Sequence, residues 1–187
     1  MLTKMEVYGV TDGLPEIPLL GDSVDNDLIQ IRDIGGLEPV KANINTTPFA
    51  GYNGEYYLGS NIGKRNIVVT FGLNPDWEDQ SISTLRQLLQ SYFMTQNQIK
   101  LRFFSDELPT CEILGYTESF EPNRFSKDPE VQVSIICPEP DFVGIVPTVI
   151  NGTVQNTLEY TEIVYEGSVP TGFVLEVASS VTNPSYT

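Results

Sequence analysis

In residues 65–73, Arg-Asn-Ile-Val-Val-Thr-Phe-Gly-Leu, the side chains Ile67, Val69, Phe71 and Leu73 fall at every second position. A period of two is the mark of a strand with one buried face, and a helix cannot satisfy it. The pattern returns downstream. Ile99, Leu101 and Phe103 alternate with Lys100 and Arg102 in 99–104, and Val131, Val133, Ile135 and Cys137 share one face of 130–137. Residues 28–34, which stop at Gly35-Gly36, and residues 111–120 supply two further strands. Asn74-Pro75-Asp76, Pro109, Pro122, Pro129 and Pro138-Glu-Pro140 punctuate the series, as turn residues should.

One helix interrupts these strands. Ile82, Leu85, Leu88, Leu89, Tyr92 and Phe93 form a single apolar stripe, which predicts a helix from about 80 to 94. Ser81 or Asp79 is placed to cap it, with Glu78 and Asp79 at the positive end of its dipole. Gln96-Asn-Gln98 marks its exit. The expected fold is therefore mainly β with one α-helix, and residues 28–140 have the size of one domain.

Three segments lie outside this core. Residues 1–27 contain Gly13, Pro15, Pro18, Gly21 and the acidic run Asp22-Ser-Val-Asp-Asn-Asp27, and read as an N-terminal arm. Such an arm either stays in solvent or docks on a neighbouring subunit. Residues 46–63 are rich in Gly and Tyr. Asn53-Gly54 signals a type I′ hairpin with Phe49–Tyr52 and Glu55–Leu58 as its arms. Its aromatic side chains need cover, from this domain or from another copy. Residues 148–187 show strand signals at 148–154, 158–165 and 173–178, too few to bury a core alone.

Composition narrows the function. Ten Lys and Arg against 25 Asp and Glu give a net charge of −15 and a pI near 4.1. Such a surface repels duplex DNA and anionic membranes, so neither specific nucleic-acid binding nor membrane insertion is expected. No apolar run approaches the ~20 residues of a membrane-spanning helix, and the first residues lack the apolar region of a secretory signal. The chain has no histidine, which removes Ser-His-Asp and Cys-His nucleophile schemes and imidazole metal ligation. Cys111 and Cys137 are too few for a zinc site without carboxylate help, and both are expected as free, buried thiols.

The remaining motifs carry little chemistry. Gly59-Ser-Asn-Ile-Gly-Lys64-Arg65 is one residue short of a phosphate loop, has Arg65 in place of the hydroxyl residue, and leads into a strand. The pairs Asp128/Glu130 and Glu139/Asp141 would suit glycoside hydrolysis only if set on either side of a sugar, and both flank prolines. Asp22, Asp25 and Asp27 lack the glycine and closing glutamate of a calcium loop. No catalytic, cofactor-binding or metal-binding residue is assigned, and no enzyme activity is expected. Trp77 and the tyrosines Tyr52, Tyr56 and Tyr57 would serve either a sugar or a protein interface.

The order of segments resembles the siphophage distal tail protein family. The resemblance lies in Leu28–Phe49, in Gly63–Pro75, in the helix Ser83–Phe93, in Lys100–Phe104, in Gly115–Pro122 and in Phe125–Pro138. It implies a structural virion protein, assembled in the bacterial host cytoplasm and located at the distal tail and baseplate. Its partners would be copies of itself in a hexameric ring, the tail-tube protein, the baseplate hub protein and receptor-binding or adsorption proteins. It also implies a tail-tube-like β-sandwich over 28–147, followed at 148–187 by part of a second β-sandwich. That last part is either the beginning of a galectin-like domain or a minimal C-terminal extension. The candidate subunit interface is the hairpin, with Phe49, Tyr52, Tyr56, Tyr57 and Leu58, and Lys64 and Arg65 at its base meeting an acidic neighbour. A carbohydrate-binding accessory module, a small glycosidase and a major tail-tube protein are the competing readings.

Overall fold

A computed structural model describes residues 2–10, 18–20, 28–51, 53–75, 81–107, 109–123, 128–152, 162–165 and 167–178. The elements are β1 (Leu2–Gly9), β2 (Pro18–Leu20), β3 (Ile29–Gly35), β4 (Ala42–Pro48), β5 (Glu55–Ile62), β6 (Arg65–Leu73), α1 (Ile82–Tyr92), β7 (Gln98–Ser105), β8 (Cys111–Pro122), β9 (Glu130–Cys137) and β10 (Val143–Gly144). The chain divides into two compact units at Pro147/Thr148.

In the first unit, β2-β1-β7-β8-β9-β6-β3 form one antiparallel sheet, with β10 also on β8. The 12-residue β8 is its spine. Its first half pairs with β7 and its second with β9, and at Tyr116 it is flanked by Gln98 on one side and Ile136 on the other. Two features let the sheet curl there. A bulge leaves Glu118 unpaired between Thr117 and Ser119. Gly115 lies directly under β9, where an added Cβ would meet Ile135 Cγ2 at 2.6 Å and Cys137 Sγ at 2.9 Å.

The alternating positions fill the concave side. Ile67, Val69, Phe71 and Leu73 of β6, Ile99, Leu101 and Phe103 of β7, and Val131, Val133, Ile135 and Cys137 of β9 belong to one buried cluster. Helix α1 closes it. Leu85, Leu89 and Phe93 are fully buried, and the Phe93 ring lies 5.4 Å from that of Phe71. Ser81 is the cap, its Oγ accepting the Thr84 backbone N–H at 3.3 Å. At the far end Gln96 adopts a positive φ of 72°. From there the chain exchanges backbone hydrogen bonds with Thr117, so the helix exit is tied to the bulge in β8.

Three expectations are corrected. Residues 2–9 are not an arm but a strand in the main sheet, with Met5 and Val7 in the core. The reason is the same period-two alternation, here set against Lys4, Glu6 and Tyr8 on the outer face. The acidic run at 22–27 lies outside the described residues. The first arm of the hairpin is Ala42–Pro48, not residues 49–52, because β4 pairs along the whole of β5 and Phe49 already belongs to the connecting loop. In the second unit, residues 148–152, 162–165 and 167–178 form no strand. Phe173, Val174 and Leu175 are 76–89% exposed there, so the apolar alternation of 173–178 finds nothing to pack on among the described residues.

Candidate subunit interface

The hairpin of β4 and β5 is a two-stranded sheet of its own, separate from the main one. Phe49 donates its backbone N–H to the Gly54 carbonyl at 3.3 Å across the loop, and Gly51 and Gly54 take positive φ values of 79° and 113°. The Phe49 and Tyr56 rings pack at 4.0 Å beside that turn. The register pairs Ala42 with Ile62, Ile44 with Ser60, Thr46 with Tyr57 and Pro48 with Glu55, with a bulge between the second and third pairs. Cross-strand partners share a face, so one face of the ribbon carries Ala42, Ile44, Tyr57 and Ile62. The hydrogen bonds from Tyr57 to Ser60 and from Thr46 to Glu55 lie on this face as well. The other face carries Asn43, Asn45, Asn61 and Thr47, with Tyr56 opposite Thr47, and is uncharged.

The apolar face is open. Ile44, Tyr57 and Ile62 are 56–65% exposed; Tyr56, on the other face, and Leu58, at the bulge, are similarly open. A lone two-stranded ribbon is marginal in water, so this arrangement needs a partner surface. Its charge is also unlike the rest of the chain. Residues 41–65 hold Lys41, Lys64 and Arg65 but only one acid, Glu55, within a chain of −15.

The seven interface candidates are only partly brought together. Phe49, Tyr56, Tyr57 and Leu58 lie on the hairpin, and Lys64 is exposed just past its end. Tyr52 lies outside the described residues, as does Trp77. Arg65 is withdrawn from this group. It is 7% exposed, and its guanidinium donates to the Pro140 carbonyl at 2.7 Å, to that of Gly36 at 2.7 Å and to that of Glu38 at 2.6 Å. It therefore ties down the chain leading into the hairpin rather than meeting an acidic neighbour. Gly36 is required at that point, having φ +88° and a Cβ position 2.0 Å from the Asn66 carbonyl oxygen.

Other candidate groups sit apart from the hairpin. Glu130 pairs with Arg32 at 2.7 Å and borders a recess of about 260 Å³ lined by Thr70, Glu121, Pro122, Asn123 and Gln132. Cys111 and Cys137 are free thiols, and burial pushes both up, Cys137 to about 11 despite the nearby Arg65 charge. Neither has the lowered pKa of a reactive thiol. Among the described residues no three His, Cys, Asp or Glu side chains gather as a metal site.

Residues 25–137 match the phage tail protein RIFT-related domain. The chain belongs to this family of phage tail proteins. It is similar in fold to the Dit protein of phage SPP1, described as a paradigm of the hub adsorption apparatus in phages infecting Gram-positive hosts. That likeness has 15% identity and a TM-score of 0.53, over 75% of this chain and 52% of the other. A chain of the phage p2 baseplate in its activated, calcium-bound conformation matches at 10% identity and a TM-score of 0.50, over 81% of this chain and 50% of the other. The chain thus spans about half the length of the solved tail proteins it matches. No curated protein matches it.

The mainly β fold with a single helix, read from period and stripe, and the resemblance to tail proteins both stand. The polar strand β4 and the anchoring role of Arg65 were missed. Only the pairing of β4 with β5, and the approach of residues 36–38 and 140 to Arg65, make them visible.

Proposed function

We propose that this tail protein builds a closed hexameric ring at the distal end of a siphophage tail and joins the tail tube to the baseplate hub and the receptor-binding apparatus. One observation carries the reading: a structured ribbon with an open apolar face, standing clear of the main sheet, calls for a second surface to cover it. The ring is a head-to-tail assembly, in which one face of each copy reaches out and another receives. An acidic wall suits such a ring, since like charge keeps passing DNA from adhering. In this reading residues 148–187 belong to a second β domain, and the uncovered Phe173, Val174 and Leu175 support it. No catalytic step belongs to this function.

Light scattering tests it directly. The protein forms a discrete particle of about six chains, and replacing Phe49–Leu58 with a short Gly-Ser turn reduces it to a folded monomer. A wild-type chain that stays monomeric over a wide concentration range would overturn the ring. An open-ended distribution of long tubes would instead identify a tail-tube protein.

A further inference from the structure

The convex side of the main sheet has a pattern of its own. On β8, Ile113, Gly115 and Thr117 turn inward, so Glu112, Leu114, Tyr116 and Glu118 turn outward. The register sets Tyr116 beside Ile136 of β9, and β6 follows with Asn66 opposite Ile136 and Val68 opposite Ser134. Leu114, Tyr116, Ile136 and Val68 thus form an oblique apolar band across three neighbouring strands. Leu114 and Tyr116 are each 41% exposed. Helix α1 does not cover the band, because its buried residues belong to the core on the opposite side. β6 and β9 are paired on both edges here, and β8 is so at Tyr116, so the band takes a partner through its side chains.

The borders of the band differ in charge. Toward β1 and β7, cations are already matched by acids: Lys4 with Glu6, and Arg102 and Lys100 with Glu112. On the opposite border stand Glu118, which accepts a hydrogen bond from the Ser134 hydroxyl, and Glu121, while Glu130 beyond them is already paired with Arg32.

We infer that this band, with the acidic border beside it, receives the apolar face of the β4–β5 hairpin of the next copy of this chain. The inference rests on the ring reading above and adds its receiving surface. The hairpin face is open in the single chain, so it does not lie on its own band. Its segment is net positive, with Lys41 and Lys64 exposed at the base, while the receiving border is acidic. Opposite charge steers that one pairing, whereas most other pairs of surfaces on chains of −15 repel. The reach is sufficient. At about 3.3 Å per residue the ribbon extends roughly 25 Å, and three strands at about 4.8 Å spacing span about 10 Å. Ribbon and band are different parts of one surface, as a head-to-tail contact requires.

The test uses two full-length chains, one with Ile44→Cys and one with Leu114→Cys, both carrying Cys111→Ala. Both new thiols sit at exposed positions, and Cys137 stays buried. A bifunctional maleimide links them into covalent dimers when the chains are mixed, and neither chain alone gives dimers. Independently, Leu114→Glu dissociates the particle to monomers that keep the circular dichroism spectrum of the folded chain and still unfold cooperatively. If shortening the hairpin abolishes the particle while Leu114→Glu leaves it intact and the mixture does not cross-link, the receiving surface lies elsewhere and the ring reading survives. If the particle also survives hairpin shortening, the hairpin is not the reaching part, and this inference falls with it.

Discussion

The Arg65 guanidinium lies 4.6 Å from the centre of the Phe142 ring, and its three hydrogen bonds to main-chain carbonyls leave it almost wholly buried. Phe142 in turn packs edge-on against Phe103 of the core. One cation thereby joins the sheet, the chain entering the hairpin at 36–38 and the loop at 140–142. The hairpin stands clear of the domain, but its root is fixed.

Arg65→Ala should therefore destabilise the first unit by about 2–4 kcal/mol, since it leaves three carbonyls to find new partners and removes a cation–π contact. Urea unfolding reads this as a lower midpoint with an unchanged slope. Lys64→Ala, one residue earlier and exposed, should shift the midpoint by no more than ~0.5 kcal/mol.

Gly115→Ala should cost about 1–3 kcal/mol, because its Cβ would enter the side chains of Ile135 and Cys137. Gly144→Ala is the control, as nothing lies within 4 Å of its Cβ. Combining Gly115→Ala with Cys137→Ala should recover part of the loss. Additive losses in that pair would mean that the close approach of β8 and β9 is not what requires glycine.

A pH effect is expected on the convex face, where Glu6 takes hydrogen bonds from Lys4 and Tyr8. Burial alone would push its carboxyl up, but those hydrogen bonds and the charges of Lys4 and Arg102 hold it below the usual value of 4.5. A lowered carboxyl contributes stability above its unfolded value and loses it as pH falls through the folded one. Burial and the hydrogen bond to Glu6 push the Tyr8 phenol above its usual 10, so its contribution is lost at the alkaline end. Glu6→Gln should lower the melting temperature at pH 7. It should have little effect once the medium is acid enough to protonate Glu6 in the folded state.

The thiols give a separate check. Both cysteines should alkylate in unfolded, unreduced protein. In native protein Cys111, which is half-buried, should react slowly, and Cys137, fully buried with its thiol pushed up to about 11, should not react. Equal rates at the two positions would contradict the burial of Cys137 under β8.

How far the sequence reaches depends on whether one strand or a pair carries the signal. Strands β6 and β9 match their expected limits because apolar side chains alternate along each one alone. Strand β1 has the same alternation in Met5 and Val7, but the prolines, glycines and acids that follow it obscured so short a run. Strand β4, with Asn43, Asn45, Thr46 and Thr47, buries nothing and is a strand only through its partner β5. Arg65 looks like any exposed base in sequence. Its partners Gly36 and Pro140 are 29 and 75 residues away, and only the folded sheet brings them to it. The apolar band has the same origin, since Leu114, Ile136 and Val68 share no segment.

The C-terminal unit provides the last prediction. Phe173, Leu175 and Val177 alternate with Val174, Glu176 and Ala178, the pattern of a strand with one face to bury, yet residues 167–178 form no strand and these apolar side chains stand open. Slow amide exchange requires a hydrogen-bonded, buried backbone, and the core strands have it while this segment does not. In the 187-residue chain, exchange at 173–178 should therefore be fast, within the intrinsic rates of an open backbone. Ile67–Phe71, paired along its length by β9 and from Val68 on by β3, should be protected to the level of global unfolding. Adding the proposed hub or receptor-binding partners, or a longer chain that supplies the rest of the proposed β domain, should slow exchange at 173–178 and leave 67–71 unchanged. Comparable protection of the two segments in the chain alone would instead make 173–178 part of an existing core, and the proposal of a second β domain beginning at 148 would fall.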